Sequence, residues 1–141
     1  MSTVAAVKAE LVQRCTALLG GPTVGDGRGT STLTGQDRIV VGDVTGARTA
    51  AALDGPVYEA YDVTITVSCS RATPDTGQRE ADEAALGYRD ALAGDLDAVP
   101  LAVPGVLLAE VLGRFDLSGQ GTPSGERNAA LTFPVHVEAD R

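Results

Sequence analysis

The sequence predicts an α+β fold in which an antiparallel sheet of about four to five strands packs against two helices. Three observations lead to this prediction: a long alternating strand over residues 57–70, an amphipathic helix soon after it, and helices and strands that do not strictly alternate. The 141 residues, 43% of them hydrophobic, suffice for one core. We therefore expect a single domain over residues 1–141.

The first helix is predicted over residues 3–19, where Ser2 or Thr3 is available as the N-cap and a Gly-Gly-Pro sequence follows the last turn. The second is predicted over about 76–96, after a turn at 74–77 that offers Asp75 or Thr76 as the cap. Apolar residues recur at helical spacing in both segments. They are Val4, Val7, Leu11, Cys15 and Leu18 in the first, and Ala81, Ala84, Ala85, Tyr88 and Leu92 in the second.

Three further segments are assigned before the long strand. Residues 23–37 read as a glycine-rich loop or a ragged hairpin arm, and residues 38–43 as a short apolar strand. Residues 44–55 read as a connection, with one helical turn conceivable at 50–52. In the strand itself one face is predicted to be apolar and the other to contact water. The apolar face consists of Tyr61, Val63, Ile65, Val67 and Cys69.

The C-terminal third is predicted to add two strands. Residues 106–117 fit a helix and a strand equally well, and a strand is favoured because the next segment offers a partner. Residues 118–128 form a turn-rich loop, and residues 129–138 alternate as a strand. Pro134 lacks the N–H that a strand ladder requires, so we expect this strand to lie at an edge or to carry a bulge.

Charge and composition exclude several classes of function. The net charge of −8 opposes binding to a phosphate backbone, and no basic stripe is present. No apolar run approaches the roughly 20 residues that span a bilayer, and no secretory signal is evident, so a soluble protein without membrane contact is expected. Cys15 and Cys69 both lie among the apolar positions of their helix or strand, which indicates that they are reduced thiols in the core of a cytoplasmic protein.

Residues that commonly carry chemistry are few. The single histidine, His136, lies in a strand with no sequence sign of an orienting partner or a nucleophile, so we interpret it as a solvent-facing residue. The glycines at 25–29 follow a helix rather than a strand, which is the wrong context for a phosphate loop. The acidic residues near the second helix look solvated. No catalytic, cofactor-binding or metal site is expected, and we predict that the protein is not an enzyme.

The order of these elements resembles that of the tail terminator (tail completion, minor tail protein U-like) proteins of long-tailed phages and prophages. The resemblance lies in the opening amphipathic helix and in four later segments, and it covers nearly the whole chain. These segments are Arg38-Ile39-Val40-Val41-Gly42-Asp43, Tyr58 to Val67, the helix near 76–96, and Leu131-Thr132-Phe133-Pro134-Val135-His136-Val137.

The resemblance implies a hexameric ring that caps the tail tube, ends its polymerisation and presents a joining surface to the head. Its partners would be other copies of the chain, the major tail tube protein and the head connector, while DNA would pass through without specific binding. The protein would be assembled in the host cytoplasm and reside in the tail–neck region of the virion. Candidate contact residues are Arg28, Thr30, Leu33, Arg38, Gln120, Arg127 and Pro134.

Two alternatives remain open on the sequence. The first is another neck or tail-tube protein of a virion. The second is a small-molecule binding or enzymatic domain whose pocket lies between a helix and the sheet.

Overall fold

The computed structural model describes residues 2–19, 24–25, 37–50, 57–121 and 125–140. It confirms the α+β class, with two helices packed on a predominantly antiparallel sheet. In chain order the elements are α1 (Val4–Leu19), β1 (Val24–Gly25), β2 (Arg38–Ala50), β3 (Val57–Arg71), α2 (Gly77–Ala98), β4 (Val106–Val111), β5 (Asp116–Gly121) and β6 (Arg127–Asp140).

The strand order in the sheet is β1-β2-β3-β6-β4, with β5 also paired to β6. All pairings are antiparallel except that of the two-residue β1, which runs parallel to β2 at Ile39 and Val40. The central pair is β3 with β6, whose register runs without a shift from Tyr58 opposite Asp140 to Arg71 opposite Arg127. The last strand in sequence therefore lies in the middle of the sheet.

Alternation along β3 and β6 creates one face that the helices cover. The side chains predicted to face the core are buried on β3, and their partners across the ladder are buried on β6. Both helices pack on this face through the apolar stripes that their spacing predicts. The fully buried helix residues are Val7, Leu11 and Cys15 of α1 and Ala81, Ala85, Leu92 and Leu96 of α2.

Polar contacts fix the two helices relative to each other. The Arg14 guanidinium on α1 donates to the Asp95 carboxylate at 2.9 Å and to the Val99 carbonyl at 2.6 Å, at the C-terminal end of α2. Glu10, one turn earlier, accepts a hydrogen bond from the Ala102 N–H at 2.7 Å. A cation near the carbonyls that end a helix is favourable because those carbonyls carry partial negative charge. These contacts lock α1 against the segment that follows α2.

A buried carboxylate anchors the start of α1 to the sheet. Glu59 is 1% exposed and lies on the same face of β3 as the apolar residues. Its Oε2 accepts hydrogen bonds from the backbone N–H of Thr3 at 3.0 Å and from the Thr3 hydroxyl at 2.9 Å. The Thr3 hydroxyl is also 2.8 Å from the Tyr61 hydroxyl. A charge buried in a core requires such partners, so this contact sets where α1 begins.

Two strands differ most from the sequence-based assignments. β2 continues to Ala50, so the predicted connection from residue 44 is wrong up to that point, including the helical turn at Ala50. It continues because residues 44–50 pair with the first half of β3, beyond a register shift after Val41. The other difference is β5, which occupies part of the predicted loop over 118–128 because β6 supplies backbone partners for it. The strand favoured over residues 106–117 is confirmed at 106–111, which form β4, but it is interrupted by a bend at 112–115 before β5 begins at Asp116.

Pro134 lies in the central strand β6, so the prediction of an edge position is wrong. Its carbonyl accepts a hydrogen bond from the Leu112 N–H at 3.2 Å. The N and the C=O of a strand residue point toward the same neighbour, so the nitrogen without a hydrogen also faces the bend at 112–115. β4 ends and β5 has not yet begun there, so the missing donor lies at the break between the β4–β6 and β5–β6 ladders.

The N-terminus of α2 is capped differently from the prediction. Thr76 occupies the N-cap position, but its side chain makes no capping hydrogen bond to the backbone. Its hydroxyl instead donates to the Glu80 carboxylate at 3.0 Å. Asp75 adopts a positive φ of 66° in the preceding turn. α2 also continues past Leu96 to Ala98.

Two glycines provide opposite tests of the packing. A β carbon at Gly46 would overlap Cβ of Tyr61 and lie 2.6 Å from the carbonyl oxygen of Ala60, so Gly46→Ala must displace β2 from β3. Gly87, in the middle of α2, has no atom within 4 Å of the corresponding position. We expect Gly46→Ala to lower the free energy of unfolding by about 1–3 kcal/mol, and Gly87→Ala to raise it by about 0.5–1 kcal/mol.

Urea denaturation of both variants, followed by circular dichroism, provides the measurement. Equal stability of Gly46→Ala and the parent chain would contradict the close approach of β2 and β3.

Candidate functional site

The face of the sheet opposite the helices is polar and no element of the described chain covers it. We call it the open face. Its side chains are half-buried or exposed, and they come from alternate positions of four strands. They include Thr45 of β2, Asp62, Thr64 and Thr66 of β3, Thr132, Pro134 and His136 of β6, and Glu110 of β4.

An ionic cluster lies on the open face around Asp62. His136 is directly opposite Asp62 in the ladder, and its Nδ1 lies 2.7 Å from Asp62 Oδ1. The Arg114 guanidinium, from the bend between β4 and β5, donates to Asp62 Oδ2 at 2.8 Å. Glu110 of β4 is the register partner of His136 on its other side. A carboxylate, an imidazole and a guanidinium from three separate segments are thus brought together.

A groove of about 410 Å³ opens beside this cluster. Its walls combine threonine hydroxyls with ionic groups and with the aromatic ring of Phe115. They are formed by Thr45, Asp62, Thr64, Arg114, Phe115, Asp116, Thr132, Phe133 and Pro134. Hydroxyls, carboxylates and a guanidinium are suited to binding polar or charged groups of a partner.

The cluster differs from a catalytic or metal site in its contacts. Nδ1 of His136 is bound to Asp62, an orienting arrangement that the sequence did not reveal. Over the described ranges, however, no hydroxyl or thiol is hydrogen-bonded to this imidazole, so the nucleophile–base pair of covalent catalysis is not formed there. Nor does any group of three His, Cys, Asp or Glu side chains within those ranges have an arrangement that could hold a metal ion.

The sheet edge formed by β4 and β5 is unusually apolar for a surface. Six large hydrophobic side chains are exposed in the described part of the chain, and four of them lie on this edge. They are Leu107, Leu108, Phe115 and Leu117, with exposed fractions of 66%, 38%, 46% and 36%. We call these residues, together with the backbone of β4 and β5, the β4–β5 edge. Exposed apolar side chains clustered in this way commonly mark an interaction surface.

A second ionic cluster fixes the start of β2. The Arg71 guanidinium donates to both oxygens of Asp37, at 2.5 and 3.2 Å, and the Tyr88 hydroxyl donates to Asp37 Oδ2 at 2.6 Å. Burial by itself would raise the pKa of Asp37, but the hydrogen bonds from Arg71 and Tyr88 outweigh it and hold that pKa below its ordinary value. The cluster connects β2, β3 and α2 at a single carboxylate.

The two cysteines are buried and free, which confirms that they lie in the core. Burial raises the pKa of each thiol to about 12, and the nearby carboxylates of Asp95 and Asp37 act in the same direction on Cys15 and Cys69 respectively. Thiols with so high a pKa are protonated near neutral pH and are poor nucleophiles.

The predicted contact residues are only partly brought together. Gln120 and Arg127 lie at the same end of the β5–β6 pair, where Gln120 is opposite Asn128 and Arg127 is opposite Gly121. The Arg127 side chain lies against its own chain, because a β carbon at Gly121 would be 2.6 Å from Arg127 Nη1.

The other predicted contact residues are scattered. Arg38 is half-buried at the start of β2, and Pro134 lies in the central strand, where it lines the groove. Arg28, Thr30 and Leu33 lie outside the described residues.

The residues that the sequence-based prediction missed are Asp62, Arg114 and Phe115. Asp62 and His136 each occupy the polar phase of a long strand, which was visible in the sequence. Their contact depends on the register of β3 against β6, and no short turn joins these two strands to define that register.

Neither α1 nor α2 is long and apolar enough to cross a membrane, and no other helix occurs in the described ranges.

Comparison with known proteins identifies a related fold. No protein-family model matches the chain, and no curated protein matches it. Among solved structures, a chain described as "Virion of native gene transfer agent (GTA) particle" matches with a TM-score of 0.50 and 23% sequence identity. The match covers 95% of this chain and 91% of the other. At this level of identity the likeness shows a shared fold.

The Asp37 cluster predicts how stability depends on pH. Because the pKa of Asp37 is lower in the folded chain than in the unfolded one, its contribution is present above the unfolded value of about 3.9. That contribution is lost as the pH falls through the folded-state pKa. We expect Asp37→Asn to reduce the free energy of unfolding at pH 7 by about 1–3 kcal/mol and to flatten its fall below about pH 4.

Urea denaturation between pH 7 and pH 3 tests this expectation, with Asp97→Asn on the exposed end of α2 as the matched control. The control should remain within about 0.5 kcal/mol of the parent chain at every pH. Parallel curves for the Asp37 variant and the parent chain would show that the cluster does not contribute.

Proposed function

We propose that this protein is a virion structural protein of the tail-terminator type. In this role, copies of the chain form a closed ring on the end of a tail tube, stop its polymerisation and provide the surface to which the head is joined. The major tail tube protein and the head connector are the proposed partners, and the tail–neck region of the virion is the proposed location. The activity is one of assembly, without an enzymatic reaction.

The observation that carries this proposal is the fold shared with a chain of a virion particle. The likeness extends over 95% of this chain and 91% of that one, so it concerns the whole arrangement of elements rather than one common motif. The same order of elements led independently, from sequence, to the resemblance to tail terminators. Together they favour a virion role, and the terminator role is the more specific part of the proposal.

The geometry suits a subunit that is held by its neighbours. A long sheet stiffened on one side by two helices leaves its other face and its β4–β5 edge available for contacts. The described pockets are open surface grooves of about 410 and 520 Å³. A site for a small molecule would more commonly be an enclosed apolar cavity with a few convergent polar groups. A surface for protein contacts is therefore favoured over the small-molecule alternative.

The acidic composition is compatible with a channel through which DNA passes. The net charge of −8 opposes binding to phosphates, so acidic residues on an inner wall would let a duplex move without adhering to it. Neutralising those acidic residues that line the lumen of a ring would then slow the passage of DNA.

The proposed ring predicts a defined assembly. The purified chain, alone or with the tube protein that its genome encodes, should form closed particles of about six subunits, visible as rings by electron microscopy and measurable by light scattering. Deletion of the gene should yield overlong or headless tails.

Two other results would contradict the terminator role or favour an alternative function. Indefinitely long tubes formed by the chain alone would identify it as a tube protein instead. A stable monomer, together with normal tails joined to heads in the deletion strain, would contradict the terminator role.

A further inference from the structure

The backbone of the β4–β5 edge is available for pairing. Among the described residues, β4 and β5 pair with no strand other than β6, so the outer N–H and C=O groups of both strands have no strand partner. Unprotected edges of this kind readily accept another extended chain as an additional strand. The edge also presents the four exposed apolar side chains Leu107, Leu108, Phe115 and Leu117.

The side chain of Phe115 is held at the surface by contacts within the chain. The Arg89 guanidinium lies 5.3 Å from the centre of its ring, in cation–π geometry, and also donates to the Leu112 carbonyl at 2.8 Å. The ring is therefore fixed at the surface, although nearly half of it is exposed. An aromatic side chain that is already ordered loses little conformational freedom on binding, which favours it as an anchor.

The charge of this region indicates the chemistry of the partner. Glu110 of β4 and Asp116 of β5 are both exposed along the edge. The adjacent cation, Arg114, already binds Asp62, which demonstrates that a guanidinium fits against a carboxylate of the groove. Symmetric pairing of two copies through this edge would bring like charges together, and the chain as a whole carries −8. A basic partner complements the negative charge of this edge, whereas a second copy of the chain does not.

We propose that the β4–β5 edge binds an extended basic segment of another protein, which adds to β4 as a further strand. Its lysines or arginines lie on the open face, where they meet Glu110 and Asp116. Its apolar side chains alternate to the opposite face, on the side of α2, where they contact Leu117 and Phe115. The edge thus acts as a docking surface for a partner with alternating apolar and basic residues. This binding does not require that the chain form a ring.

Binding of labelled peptides to the full chain, followed by fluorescence anisotropy, tests the proposal. The probe is a peptide of about ten residues that alternates valine and lysine, a length that matches one strand. Two matched peptides accompany it: one alternates valine and glutamate, and one carries N-methyl groups on alternate amides of the basic sequence. We expect both to bind at least about tenfold more weakly, because one lacks the charge and the other cannot pair as a strand.

Two charge-reversal variants distinguish binding at the β4–β5 edge from a general effect of net charge. Glu110→Lys should weaken binding of the basic peptide by about tenfold. Glu83→Lys, on the exposed side of α2, changes the net charge equally and should leave binding unchanged.

Equal losses in the two variants, or equal binding of the N-methylated peptide, would overturn the proposal. A change in the subunit number of the chain caused by Glu110→Lys would also overturn it, because a second copy would then occupy the edge.

Discussion

The uninterrupted pairing of β3 with β6 is the constraint on which the other elements depend. Fourteen consecutive residue pairs join these strands, and β2, β4, β5 and α2 each pack against one or both of them. A shift of this register by one residue would turn every core side chain of β6 to the opposite face. Because Phe133 and its neighbours would then meet water, burial of one face enforces the register. The same register places His136 opposite Asp62, so the polar cluster is a consequence of how the core packs.

Buried polar groups add positional information that apolar packing lacks. Apolar contacts are non-directional, so they direct a helix to one position on the sheet less strictly than a hydrogen bond does. Glu59 fixes the start of α1, since its carboxylate accepts hydrogen bonds from the backbone N–H and the hydroxyl of Thr3. Asp37 has the same effect where β2 begins, through Arg71 and Tyr88. These carboxylates fix the positions of α1 and β2, and the apolar core supplies most of the favourable free energy of folding.

Features that depend on local sequence patterns were predicted correctly, whereas features that depend on pairing between distant strands were not. Both helices and the apolar faces of β3 and β6 were predicted because periodic burial leaves a local pattern. The extension of β2, the existence of β5 and the central place of Pro134 depend on pairing with distant strands, which no local pattern records. The ionic cluster around Asp62 was not predicted for the same reason, because Arg114 comes from a bend and His136 from another strand. Of the predicted contact residues within the described ranges, only Gln120 and Arg127 lie together.

The central position of β6 has a consequence for how the chain is made. A ribosome releases the N-terminal segments first, so α1, β2, β3 and α2 emerge while the strand that completes the sheet is still unsynthesised. During that interval the long inner edge of β3 has no partner, and the apolar side of α2 that packs on β6 is uncovered. The sheet can therefore be completed only after β6 has been translated, because β6 joins β3 to β4 and β5. A truncated or stalled chain would therefore expose an unpaired edge of β3, which in the intact molecule is covered by β6 along its whole length.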